Sequence, residues 1–87
     1  MGMAVSELIQ LADVRSACAS GAARALRLSA GLSLGEVARE IDVAVPTVFR
    51  WERNERRPRG EAALRYGELL AALAARQRPR RQPAGRR

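Results

Sequence analysis

The stretch VPTVFRWERNERRPR, residues 45–59, sets arginines at positions 50, 53, 56, 57 and 59. A guanidinium is a rigid, planar fork of N–H donors, matched to phosphate oxygens and to the two acceptors on a guanine edge. Little other chemistry is open to the chain. It has no histidine and one cysteine, Cys18, so metal-ligand clusters, Cys/His nucleophile pairs and internal disulfides cannot be assembled from it. All sixteen basic residues are arginine, against nine acidic ones, for a net charge of +7, which points to an anionic partner. The excess is uneven: residues 1–75 hold ten arginines against nine acids, and residues 76–87 hold six with none.

Arginines act only where a scaffold holds them, and 87 residues allow one small domain with a limited core. No apolar run approaches the roughly 20 residues a membrane helix needs. The expectation is a soluble, cytoplasmic protein without catalysis, cofactor or small-molecule substrate.

The helix signals are local. Over 4–20, Ser6 and Asp13 are each suited to cap a short helical piece, the first carrying Leu8 and Leu11, the second Val14, Ala17 and Cys18. Gly21 stops this lead-in. The alanine- and leucine-rich segment 22–30 predicts a helix with Arg24 and Arg27 one turn apart, ended by a left-handed Gly31. Ser33 and Glu36 have capping-box spacing ahead of a Val37, Ala38 and Ile41 stripe. After a gap of about three residues, a helix starts near Val45, where Pro46 is tolerated because first-turn amides have no intrahelical partner. Val48 and Trp51 mark its inner face. A last helix runs over about 60–76, with Gly67 as a weak point. From Pro79 the composition has nothing to bury. The fold class is therefore all-α, with about five helices and no strands. It divides into an N-terminal helical extension (1–20), a helical domain (21–76) and a disordered Arg-rich tail (77–87).

Two helices joined by a short turn, with the small Ala38 on the inner face of the first, present the second across the first. Here the sequence resembles the XRE-type, phage repressor and Cro-like helix-turn-helix family, whose pattern runs roughly Q-x-x-L-A-x-x-x-G-V-S-x-x-T-I-S-R-x-E-x-G-x-x-x-P. The matching residues are Leu34, Val37, Ala38, Asp42, Val43, Ala44, Thr47, Val48, Phe49, Arg50, Glu52, Asn54 and Pro58, within a resemblance spanning residues 22–73. It implies a lambda-repressor-like DNA-binding domain with its recognition helix, about 45–53, in the major groove of double-stranded DNA.

Carried over by position, Val45, Pro46, Thr47, Phe49 and Arg50 face the bases. Arg50 alone among them can fork onto a guanine. Phosphates fall to Arg27, to backbone amides near Ser33 and Leu34, and to Arg53, Asn54, Arg56, Arg57 and Arg59, which set register without reading sequence. The family pattern also pairs a basic residue of the first core helix with the glutamate of the recognition helix, here Arg27 with Glu52. Three departures stand out: Leu34 replaces the usual glutamine, Asp42 the turn glycine, and Ala44 the serine cap.

Trp51, Val48 and Ile41 are expected in the core, Cys18 as a small core residue, and Phe49 exposed. Tyr66, Leu69, Leu70 and Leu73 serve either the core or a homodimer. The functional expectation is a transcriptional regulator, repressor or Cro-like, of phage or mobile-element type. An antitoxin repressing its own operon would look similar, and a protein-interaction module that keeps the fold without binding DNA is the rival from another class.

Overall fold

The computed structural model describes residues 2–77; the arginine-rich segment 78–87, which carries most of the expected tail, lies outside them. Among the described residues there are five helices and no strand: α1 (Val5–Ser20), α2 (Ala22–Ser29), α3 (Leu34–Ile41), α4 (Val45–Glu52) and α5 (Gly60–Gln77).

The lead-in is one helix where the cap signals predict two short pieces. Its N-cap is Ala4, whose carbonyl accepts from Glu7 N and Leu8 N, each at 3.0 Å, and whose amide donates to Glu7 Oε1 at 3.1 Å. Ser6 and Asp13 therefore lie inside α1. An aspartate within a helix costs only a few tenths of a kcal/mol, ~0.7 at most. Burying Leu11, Val14 and Cys18 on one stripe that runs past Asp13 outweighs it.

The turns are made by the residues whose chemistry suits them. Gly21 (φ 88°) ends α1 and Gly31 (φ 74°) follows α2. Asp42 adopts the left-handed conformation (φ 62°) that the turn of the motif requires, so it stands in for glycine at a modest steric penalty. Ala44 caps α4 with no side-chain hydrogen bond, as its methyl dictates.

The core joins Val14 and Cys18 of α1, Ala23 of α2, Val37, Ala38 and Ile41 of α3, Val48 and Trp51 of α4, and Ala63, Tyr66 and Leu70 of α5. Trp51 and Tyr66 stack with ring centroids 5.5 Å apart at 34°. α5 is the central prop, packing against α1, α2 and α3. Where α1 crosses it, a Cβ on Gly67 would come within 2.7 Å of Val14 Cγ2. The glycine that weakens α5 locally is thus what lets the two helices approach.

Two long-range hydrogen-bonding arginines fix backbone near the motif. Arg65 of α5 donates from Nε (3.2 Å) and Nη2 (2.8 Å) to the Ile41 carbonyl, capping the C-terminal end of α3 beside the turn. Arg15 of α1 donates from Nε to the Pro58 carbonyl at 2.8 Å.

Candidate nucleic-acid interface

α4 is short and asymmetric. Its inner face, Val48, Trp51 and Glu52, is buried. A buried carboxylate needs a partner, and Glu52 takes both prongs of one guanidinium: Arg27 Nε to Oε2 at 2.6 Å and Arg27 Nη2 to Oε1 at 3.0 Å. Arg27 Nη1 also donates to the Leu32 carbonyl at 2.9 Å. The pair locks α4 to α2, as the family pattern implies. Its hydrogen bond to Glu52 raises the guanidinium pKa further, against the opposing effect of burial. Burial bears on one expectation: Arg27, expected at a phosphate, is 7 % exposed and turns three of its N–H groups inward to a carboxylate and a carbonyl, so the structure shows it as part of the scaffold.

The outer face carries the expected readers. Val45 and Phe49 are each 43 % exposed, Pro46 and Arg50 are exposed and Thr47 is half-buried. Val45 with Phe49, and Pro46 with Arg50, are four residues apart and so share a side of the helix. Phe49 is not bare: the Arg53 guanidinium carbon lies 5.2 Å from its ring centroid, a cation–π arrangement. Arg53 Nε also reaches Glu55 Oε2 at 3.1 Å, on the surface.

A cleft between α2, α3 and α4 is lined by Arg24, Leu34, Phe49 and Arg53, with the Arg27–Glu52 pair at its base. Arg24 is not among the contacts that the sequence predicts, although its place one turn before Arg27 puts it on the same helix. The α3 start beside this cleft supplies fewer amides than expected. Ser33 N donates to Glu36 Oε1 at 2.8 Å and Glu36 N to Ser33 Oγ at 3.0 Å, so the capping box consumes the Ser33 amide. The Leu34 and Gly35 amides, in the first turn, have no intrahelical acceptor. The Ser33 hydrogen bonds hold the Glu36 carboxyl below its usual range, the backbone one foremost.

The α4–α5 loop presents Arg53, Asn54, Arg56, Arg57 and Arg59 to solvent. Asn54 is left-handed (φ 60°), closing the end of α4. Backbone bonds from Asn54 N to Trp51 O (3.0 Å), Glu55 N to Arg50 O (2.8 Å) and Arg56 N to Arg50 O (3.3 Å) fold the loop back on the helix.

The side chains beneath this surface are chemically quiet. Cys18 is buried, and burial first, then the charge of Glu52, pushes its thiol up to about 12, so it stays neutral and unreactive. Burial likewise raises the Tyr66 hydroxyl, which has no hydrogen-bond partner among the described residues. No cluster of metal-ligating side chains occurs among those residues, and none of their helices is long and apolar enough to cross a membrane.

A family model described as helix-turn-helix matches residues 24–71, which takes in α3, the turn, α4 and most of α5. No curated protein and no solved structure matches the chain. The matched segment covers more than half of the sequence and contains the anchored α4 with its exposed outer face; the chain belongs to the XRE-type helix-turn-helix family of DNA-binding transcription regulators.

Proposed function

We propose that the protein is a sequence-specific repressor that seats α4 in the major groove of a short operator. The observation that carries this reading is the division of α4: an inner face fixed by core packing and the Arg27–Glu52 pair, and an outer face left to solvent. Arg50 forks onto a guanine, Val45, Pro46 and Phe49 pack on thymine methyls, and Thr47 meets a base edge or a phosphate. The Leu34 amide, Arg53, Asn54, Arg56, Arg57 and Arg59 grip the backbone on either side. With one forked donor on an otherwise apolar reading face, sequence preference rests on few hydrogen bonds and on DNA shape. The resemblance favours control of a phage or mobile element in the cytoplasm, by a homodimer reading two half-sites.

Selection from a random duplex pool tests it. The expected result is an enriched site containing guanine, palindromic for a dimer. For Arg50→Ala we expect about a five- to 150-fold loss of affinity, equivalent to roughly 1–3 kcal/mol, with the guanine preference gone. An unenriched pool, with binding indifferent to salt, would overturn the proposal and leave the fold as a protein-interaction module.

A further inference from the structure

We propose that Arg15 of α1 positions the phosphate-gripping loop between α4 and α5, so that a helix outside the family match governs DNA affinity without touching DNA. This rests on the DNA-binding reading above and extends it to a segment that the resemblance does not reach. The loop is held in two different ways along its length. Its first half, Asn54 to Arg56, is bonded to carbonyls of α4. For the backbone of residues 57–59 the hydrogen bond among the described residues is that from Arg15 Nε to the Pro58 carbonyl, 2.8 Å long and made across 43 positions of sequence. Pro58 is buried while Arg56, Arg57 and Arg59 around it are exposed. The loop is thus pinned at one residue, with its cations projecting on both sides of the pin. Ala12, Arg15 and Ser16 form the α1 wall of a groove whose other wall is Asn54 to Pro58.

A phosphate contact made by a mobile arginine must first order the chain that carries it, and pinning that chain beforehand removes part of the cost. The pin needs a donor at a set distance from Cα, not a charge. Glutamine places its side-chain amide nitrogen the same number of bonds from Cα as the arginine Nε, and methionine has the same length with no donor. Arg15→Gln and Arg15→Met therefore differ in the one property at issue, and both lack the guanidinium charge.

The experiment titrates the full chain with a random-sequence duplex across salt concentration for the parent and both variants. For Arg15→Met we expect about a five- to tenfold loss of affinity and a log–log salt slope shallower by about 0.9 for each phosphate that the loop releases, while Arg15→Gln keeps the parent slope and stays within about twofold of its affinity. Equal losses in both variants would mean that the Arg15 charge meets DNA directly, and parental binding by both would mean that the loop needs no pin. Either outcome overturns the proposal while leaving DNA binding standing. A parent without salt-dependent binding defeats the function it rests on instead. Should Arg15→Met melt well below the parent, backbone NMR order parameters of the free protein decide. Lower values confined to Arg56, Arg57 and Arg59 support positioning, and lower values throughout the core overturn it.

Discussion

The inner and outer faces of α4 lie on the same eight residues and answer to opposite demands. Val48 is fully buried and Trp51 and Glu52 nearly so, whereas Val45 and Phe49 keep 43 % of their surface. The inner face spends its charge internally; the outer face leaves Arg50 with no ion pair among the described residues. Stability and recognition are therefore separable within two turns of helix. Substitutions inside should be felt in unfolding, and substitutions outside in binding.

The largest effect tests the inner side. Removing either partner of the Arg27–Glu52 pair strands a buried charge, so Glu52→Ala should destabilise the fold by about 3–5 kcal/mol in urea unfolding. Arg50→Ala, one helix position from the core stripe, should stay within about 0.5 kcal/mol of the parent. Replacing both partners with apolar residues of similar volume should recover most of the loss, because the penalty belongs to the unpaired charge. If Arg50→Ala unfolds as readily as Glu52→Ala, the two faces are not independent.

This division is largely legible in the sequence, for reasons that particular residues make plain. Ser33 with Glu36, Gly21, Asp42 and Pro46 act through backbone groups within four positions of themselves, so their spacing alone marks the helix ends. Val48, Trp51 and Ile41 betray the core by period. The Arg27–Glu52 pair, made across 25 positions, is foreseeable only because the family pattern implies it. What local pattern cannot supply is a contact between distant segments. The Arg15–Pro58 and Arg65–Ile41 bonds span 43 and 24 positions, and nothing near either arginine distinguishes it from a solvated one. Gly67 reads as a flaw in α5 because Val14, which needs the space, lies on another helix. Ser6 and Asp13 mislead because their capping chemistry is local, whereas the burial of Leu11, Val14 and Cys18, which holds α1 together across them, is not. The capping box that predicts the α3 start also occupies the Ser33 amide, which donates to Glu36 Oε1.

A smaller effect sharpens the contrast between dry and wet faces. Cys18 lies close enough to Glu52 for its charge to act on the thiol, which is raised from 9.0 to about 12 chiefly by burial. The folded protein keeps the thiol neutral while the unfolded chain ionises it near its ordinary value. Its contribution is complete below pH 9 and is lost as pH rises toward 12, at up to about 1.4 kcal/mol per pH unit. Melting temperatures between about pH 8 and 10.5 should fall less steeply in Cys18→Ala than in the parent, whatever the variant's stability at neutral pH. Equal slopes would show that Cys18 is wetter than its packing implies.

The smallest effect falls at Ala44, where the two faces meet. The α3 start has a complete capping box, whereas the α4 start has none, and Pro46 in its first turn has no amide to cap. Only Thr47 N remains for a serine hydroxyl, and it already reaches the Ala44 carbonyl at 2.9 Å. Ala44→Ser should therefore stabilise by about 0.5–1 kcal/mol, the low end for a cap. Ser33→Ala should cost about 1 kcal/mol or more, since there the hydroxyl is one half of a reciprocal pair. Chemical denaturation of both variants compares the two helix starts directly. If the open start of α4 serves DNA, Ala44→Ser should gain stability while weakening the affinity for a selected duplex, because the hydroxyl would compete with phosphate for the Thr47 amide. A serine that raised stability and affinity together would mean that α4 is simply under-capped, and that its bare N-terminus has no part in binding.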